Sequence, residues 1–160
     1  MIGRPVPASV AATVVSGHRV ASGLGGDPRF PQGTITPQLP FFRRAMPDMV
    51  AFLGGEPFPG TINLKVDGRV EVRCPEFRLP DVRWTDAFPP ETFYLSRAAL
   101  QADDAAHPVL LYIPDPATKP DHFQPADRIE LLASRIEGVA YGAAVRLLYD
   151  PDAILIRPAG

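Results

Sequence analysis

Polar and apolar residues alternate along EPFPGTINLKVDG, residues 56–68, and this alternation decides the predicted fold. The polar positions are Thr61, Asn63, Lys65 and Asp67, and the apolar positions between them are Ile62, Leu64 and Val66. A period of two residues predicts a β-strand with one face packed in a core. The other face carries a hydroxyl, an amide, an ammonium and a carboxylate, which either meet solvent or hold a ligand.

The composition favours one globular domain. With 160 residues, 46% hydrophobic and 21% charged, we expect a single domain over residues 1–160, with a loose lead-in at 1–9. The net charge of −2 gives no basic field, so neither nucleic acid nor membrane is an expected partner. Without a ~20-residue apolar run or a signal-peptide pattern, we expect a cytoplasmic protein. The lone cysteine, Cys74, is expected to be a buried structural thiol.

The 20 prolines predict short elements, because proline interrupts helices and central strands. Strands are expected over residues 10–16, 61–67, 108–113, 128–134, 141–149 and 153–158. Residues 70–74 are predicted to pair with 61–67 in a hairpin through Asp67-Gly68. Helices are predicted over 42–53 and over 96–102 with Ser96 as N-cap, and 31–42 are predicted to be irregular. This pattern favours a mainly β fold, a closed barrel with one or two short helices.

A glycine-rich segment, SGLGGDPRF at residues 22–30, follows the first predicted strand. Glycines allow backbone amides to approach a phosphate closely, and consecutive amides form an anion-binding nest. Arg29 would add charge-assisted hydrogen bonds. The segment is neither a Walker A loop nor GxGxxG, so a flexible hairpin loop is the alternative.

The side chains of Thr61 and Asn63 point from the same strand face, because they are two residues apart. Both offer hard neutral oxygens, which Mg²⁺ accepts when substrate phosphates and waters complete its coordination. A solvent-facing strand is the alternative. Glu130, in DRIELLAS, either faces solvent or points into a cavity, where burial would suit it as a base. The histidines lack ligand spacing, so zinc is not expected.

Three segments in order, SGLGGDPRF, EPFPGTINLKVD and ADRIELLAS, resemble the CTP-dependent riboflavin kinases of the archaeal type. Members of that family show segments like SGLGEG, PYPGTLNLKLD and EDVIEIIAP, and the PGTxN match is the most specific. The resemblance implies a small six-stranded cradle-loop (RIFT-like) barrel. It also implies transfer of the γ-phosphate of CTP to the 5′-hydroxyl of riboflavin, which gives FMN and CDP.

The resemblance also implies roles for individual residues. Thr61 and Asn63 match the Mg²⁺ ligands, and Thr118 and Glu130 match flavin contacts, with Glu130 also a candidate catalytic base. The nucleotide-binding positions implied are Leu24, Gly25, Gly26, Asp27 and Arg29, followed by Arg135, Ile136, Glu137 and Gly138. Candidates to line an apolar slot for the flavin ring are Phe30, Phe41, Phe42, Phe58, Tyr112 and Phe123.

The chain departs from the family mainly on the nucleotide side. It reads GGDPR where the family has GEGRY, so Pro28 removes an amide donor and Asp27 adds negative charge. Residues 76–106 show no clear family counterpart. The donor nucleotide therefore stays open, and so do two alternative functions: a kinase for another small alcohol, and a non-catalytic barrel that binds a flavin or nucleotide. The sequence does not fix the oligomeric state, and a monomer is compatible with it.

Overall fold

Nine strands and two short helices make up the described part of the computed structural model, residues 7–16, 33–118, 125–134, 136 and 139–158. The strands are β1 (Ala8–Val15), β2 (Ile62–Val66), β3 (Arg69–Val72), β4 (Phe77–Val82), β5 (Glu91–Ala102), β6 (Ala105–Pro114), β7 (Arg128–Leu132), β8 (Ala144–Tyr149) and β9 (Ile154–Arg157). The helices are α1 (Ile35–Ala45) and α2 (Met49–Leu53). The predicted mainly β fold is confirmed. Within these ranges, no helix is long and apolar enough to cross a membrane.

Seven strands form one antiparallel sheet in the order β4-β5-β6-β7-β2-β1-β8. Strand β5 also pairs with β8, so six strands, β1, β2, β7, β6, β5 and β8, are linked pairwise in a ring. Strand β4 lies beside β5, outside this ring. Strands β3 and β9 form a separate two-stranded sheet.

Each face of the large sheet packs into its own apolar cluster. Leu64, Leu111 and Leu147 belong to a cluster to which all six strands of the ring contribute, so this face points to the inside of the ring. The opposite face packs under the helices. There, Phe42 of α1 lies edge-on to Phe93 and Tyr112, with ring centroids 5.5 and 5.9 Å apart.

Helix α1 lies where residues 31–42 were predicted to be irregular, so that prediction is wrong for the described residues from Ile35 onward. Its buried residues are Ile35, Gln38, Leu39 and Phe42, at helical spacing. Pro37 lies in the first turn, where a backbone N–H has no helical partner to lose. The predicted helix over 42–53 is divided: α1 ends at Ala45, and α2 ends at Leu53 with Gly54, whose φ is 78°, as its C-cap.

The predicted helix over residues 96–102 is wrong, because this segment belongs to β5. Strand β5 pairs with β6 from Phe93 to Ala102 and with β8 from Ala98 to Gln101. These long-range pairings outweigh the helix propensity of the local sequence. Asp103 and Asp104 have φ values of 49° and 63°, which suits the tight turn between β5 and β6.

The predicted hairpin between residues 61–67 and 70–74 is also wrong. Strand β3 pairs with β9, and Asp67-Gly68 carries the chain from one sheet to the other. Gly68 has φ 151°, and a Cβ there would lie 2.4 Å from the carbonyl oxygen of Arg157. Only glycine allows this close approach.

Two smaller expectations fail for related reasons. Cys74 is exposed, because β3 ends at Val72 and the chain then leaves the sheet. The predicted loose lead-in is wrong for Ala8 and Ser9, which belong to β1, while residues 1–6 lie outside the described part of the chain.

Candidate functional site

Strand pairing brings three of the predicted site residues together. Strands β2 and β7 are adjacent and antiparallel, and Asn63 lies directly opposite Glu130. Thr61 precedes Asn63 by two residues and therefore projects from the same face. We call Thr61, Asn63 and Glu130 the polar cluster.

Hydrogen bonds connect the polar cluster. The hydroxyl of Thr61 donates to Oε1 of Glu130 at 3.1 Å, and the side-chain amide of Asn63 donates a longer bond to Oγ1 of Thr61 at 3.5 Å. Asn63 is 8% exposed, and Thr61 and Glu130 are half-buried. Further along the same face, Lys65 is exposed. The polar face of this segment is thus sheltered at Thr61 and Asn63 and meets solvent beyond them.

Tyr112 extends the polar cluster towards helix α1. It lies opposite Glu130 on β6, and its hydroxyl donates to Oε1 of Gln38 at 2.7 Å. Burial raises the pKa of Tyr112 well above its ordinary value, and the negative charges of Glu130 and Glu91 raise it further. Tyr112 therefore stays protonated at neutral pH and remains a hydrogen-bond donor.

A largely apolar cavity of about 210 Å³ lies beside Glu130, and we call it the slot. One wall is Val70 and Val72 of β3 with Ile154 of β9, and the facing wall includes Ile113 and Pro114 of β6. The lining residues with side chains that can form hydrogen bonds are Tyr112, Arg128 and Glu130. Glu130 thus borders the slot, while its side chain lies with the polar cluster on the sheet face opposite Ile129.

Arg128 places a cation at the slot. It precedes Glu130 by two residues in β7 and projects from the same face. Its guanidinium forms an ion pair with the carboxylate of Asp127, and both side chains are partly exposed. Arg128 and Glu130 therefore place a positive and a negative side chain beside the slot, on the strand face opposite Ile129.

Thr118, a predicted flavin contact, holds two chain segments together. Its hydroxyl accepts a hydrogen bond from the backbone N–H of Thr92 at 2.9 Å and donates to the carbonyl of Asp115 at 3.2 Å. It follows Pro116, which lines the slot, by two residues. Its role as a flavin contact stays a prediction.

Most of the predicted nucleotide site cannot be placed. Leu24, Gly25, Gly26, Asp27, Arg29, Arg135, Glu137 and Gly138 lie outside the described residues. Ile136 is described, and its side chain packs against the cluster inside the ring.

The aromatic residues predicted to line a flavin slot lie in different parts of the fold. Of the candidates in the described ranges, Tyr112 borders the slot. Phe42, a residue of α1, is fully buried against the sheet, and Phe58 is 54% exposed. Phe41 packs at the edge of the helix-covered cluster. Phe30 and Phe123 lie outside the described residues.

Sequence reasoning missed one wall of the slot and two buried polar residues, Gln38 and Glu91, that act on Tyr112. Val70 and Val72 are two residues apart and therefore share one strand face, which was a usable signal. The wall, however, also depends on the pairing of β3 with β9, which was not predicted. Gln38 was missed because its segment was predicted to be irregular. Glu91 was missed as well; it is 4% exposed and accepts a hydrogen bond from the indole of Trp84 at 2.6 Å.

The donor set of the polar cluster is compatible with a hard cation. The described residues contain no group of three or more His, Cys, Asp or Glu side chains that could hold a metal ion. Thr61 and Asn63 instead offer a hydroxyl and an amide oxygen, which suit Mg²⁺ when a substrate supplies phosphate oxygens. Glu130 adds negative charge 3.1 Å from the Thr61 oxygen.

Comparison with known proteins adds no assignment. No protein-family model matches the chain, and no curated protein matches its sequence. A function must therefore be argued from the residues and from the three motifs that resemble the riboflavin kinases.

Proposed function

We propose that this protein is a riboflavin kinase that transfers the γ-phosphate of a nucleotide, CTP in the first instance, to the 5′-hydroxyl of riboflavin. One observation carries the proposal: Glu130, whose carboxylate belongs to the polar cluster, also borders the slot. A flavin ring held in the slot would extend its ribityl chain past Glu130 towards Thr61 and Asn63.

The chemistry of the slot suits a flavin ring. The ring is flat and largely apolar, with polar atoms along its edges, and the slot has aliphatic walls bordered by Arg128 and Glu130. A volume of about 210 Å³ is below the ~300–1,000 Å³ of pockets that enclose a drug-sized ligand. The ribityl chain would therefore lie outside the slot, where phosphoryl transfer requires it.

Thr61 and Asn63 would hold Mg²⁺ together with the nucleotide phosphates. The cation would neutralise charge on the transferring phosphoryl group, which is the main requirement of this reaction. The protein's own part is positioning. Asn63 is buried and the Thr61 hydroxyl is hydrogen-bonded to Glu130, so the movement of both side chains is restricted.

The fold is compatible with the proposal. A six-stranded cradle-loop barrel requires six strands linked in a closed order, and β1, β2, β7, β6, β5 and β8 are linked in that way. In the proposed fold, the two-stranded sheet of β3 and β9 is an addition that supplies one wall of the slot.

The test is FMN formation by the purified protein with riboflavin and Mg²⁺, with CTP, ATP, GTP and UTP supplied separately. FMN with CTP alone supports the proposal in full. FMN with another nucleotide supports the kinase and changes the donor. Riboflavin binding without FMN from any nucleotide contradicts the kinase.

A non-catalytic flavin-binding protein is the second candidate, and one observation favours it. The side chains of the polar cluster hydrogen-bond to one another. In a binding protein, these bonds would serve only to satisfy sheltered polar groups. Riboflavin affinity that is unchanged by EDTA, with no FMN formed, would favour this candidate.

A further inference from the structure

The hydrogen bond between Thr61 and Glu130 has a defined direction. A carboxylate can only accept, so the Thr61 hydroxyl donates its single proton to Oε1 of Glu130 at 3.1 Å. The Thr61 oxygen then has two lone pairs to offer. The Asn63 amide approaches one of them at the long distance of 3.5 Å. With its proton engaged, the Thr61 oxygen can only accept from, or coordinate, other groups.

A hydroxyl that coordinates a cation must present a lone pair, because a proton directed at the cation is repelled. A free threonine hydroxyl rotates, and its side chain can also change χ1 rotamer. An acceptor that captures the proton removes both freedoms. Partners of this kind behind a metal ligand typically affect metal affinity by ~10–100-fold.

The two strands make this arrangement rigid. Asn63 and Glu130 are directly opposite in the β2–β7 pairing, and the Thr61–Glu130 hydrogen bond is partly buried. Shelter from water strengthens such a bond, because fewer solvent molecules compete for the carboxylate.

We infer that Glu130 is a positioning residue for Thr61, which fixes the hydroxyl proton and directs the oxygen's lone pairs at a divalent cation. The inference rests on the proposed function and goes beyond the flavin contact that the resemblance implies for Glu130. In this role the carboxylate stays off the cation and acts through the Thr61 hydroxyl alone.

The test is the affinity for Mn²⁺, measured by electron paramagnetic resonance at fixed protein, riboflavin and CDP. Glu130→Ala and the nearly isosteric Glu130→Met remove the acceptor, so we expect affinity ~10–100-fold weaker. Glu130→Gln keeps an oxygen acceptor and should retain most of the affinity. Thr61→Val and Thr61→Val/Glu130→Met should be equally weak, because Glu130 acts only through Thr61.

Glu71→Ala is the matched control. It also removes a strand glutamate that bonds to another side chain, here the guanidinium of Arg157 at 2.7 Å. We expect wild-type Mn²⁺ affinity for this variant. Loss of thermal stability without loss of Mn²⁺ affinity in Glu130→Met would show a merely structural hydrogen bond and overturn the inference.

The failures of the inference and of the proposed function are distinguishable. Wild-type protein that forms FMN, with Glu130→Ala and Glu130→Met both binding Mn²⁺ normally, overturns the inference alone. Additive penalties of Thr61→Val and Glu130→Met also overturn it, because they would give Glu130 a separate role. Wild-type protein that neither forms FMN nor binds Mn²⁺ overturns both.

Discussion

Asn63 lies directly opposite Glu130 across the β2–β7 pairing, so the polar cluster is a product of strand register. Side chains alternate between the two faces of a sheet, and a slip of one residue would turn Glu130 towards the inside of the ring. The apolar neighbours Leu64, Ile129 and Leu131 oppose such a slip, because each is 5% exposed or less in the cluster inside the ring. The core of the ring therefore determines the geometry of the site.

Replacement of a proposed Mg²⁺ ligand should abolish turnover and spare riboflavin binding. Thr61→Val keeps the shape of the side chain and removes the hydroxyl, so we expect FMN formation to fall by at least ~100-fold. Lys65→Ala is the control, because Lys65 belongs to the same strand and is exposed. Initial rates and riboflavin fluorescence titrations would check both. Equal rates for Thr61→Val and Lys65→Ala would contradict the proposed metal site.

A larger side chain in the slot wall should weaken riboflavin binding. Val72 lines the slot and is 43% exposed, so Val72→Trp can enlarge this wall without disturbing the core. We expect at least a ~10-fold rise in the riboflavin Kd, equivalent to ~1.4 kcal/mol. Glu71→Trp places the same side chain on the opposite face of β3 and should leave the Kd near wild type. Unchanged affinity in Val72→Trp would place the flavin elsewhere.

Removal of the Tyr112 hydroxyl should cost stability at neutral pH. Tyr112→Phe leaves the buried oxygen of Gln38 without its 2.7 Å donor, so we expect a loss of about 1–2 kcal/mol in urea unfolding. Tyr141→Phe is the control, because Tyr141 is 66% exposed.

The cost of Tyr112→Phe should shrink at alkaline pH. The folded-state pKa of Tyr112 is raised, so the phenol ionises first in the unfolded chain. Its contribution is complete below the ordinary tyrosine pKa of ~10 and falls as the pH rises above it. Phenylalanine cannot ionise, so the two proteins should converge above pH ~10. A constant difference from pH 7 to 11 would contradict this.

Gly68→Ala should destabilise the protein far more than Gly54→Ala. A Cβ at residue 68 would lie 2.4 Å from the backbone oxygen of Arg157, whereas nothing lies within 4 Å of a Cβ at residue 54. Both glycines have positive φ, so Gly54→Ala measures the backbone strain alone, about 1 kcal/mol. We expect at least ~2 kcal/mol for Gly68→Ala in thermal or urea unfolding. Equal losses would mean that β9 moves away at little cost.

Ser96→Ala should stabilise the fold. Ser96 is 0% exposed, and its hydroxyl has no hydrogen-bond partner among the described residues. Removal of a buried hydroxyl that lacks a partner should gain about 1 kcal/mol. Ser134→Ala is the opposite case, because the Ser134 hydroxyl donates to the carbonyl of Leu53 at 3.1 Å, and it should be destabilising. A lower melting temperature for Ser96→Ala would contradict the expected gain.

The sequence predicted the strands best where the local pattern of polar and apolar residues reflects burial in the fold. Alternation placed β2, and apolar runs placed β6, β7 and β8, because each strand carries its own burial pattern. Residues 96–102 were misread because Ala98, Ala99 and Leu100 suit a helix equally well, and their strand state depends on pairing with β6 and β8. The local sequence does not indicate which strands a segment will pair with.

The candidate site also has a part that the sequence predicted and a part that it did not. Thr61, Asn63 and Glu130 were predicted as members of one site from the order of three motifs, and the structure brings their side chains together. The slot wall could not be predicted, since Asp67-Gly68 looks like a hairpin turn and instead passes the chain to β9. The Mn²⁺ measurement tests the proposed role of the polar cluster as a cation site.

The pairing of β3 with β9 has a consequence for the time at which the slot forms. Glu71 and Arg157, which bond across this pair, are 86 residues apart in the chain. At a synthesis rate of ~5–20 residues per second, β3 emerges from the ribosome roughly 4–17 s before its partner. The nascent chain can therefore pair β2 with β1 well before the slot has its second wall. Ligand capture in the slot would therefore have to wait until β9 has been synthesised.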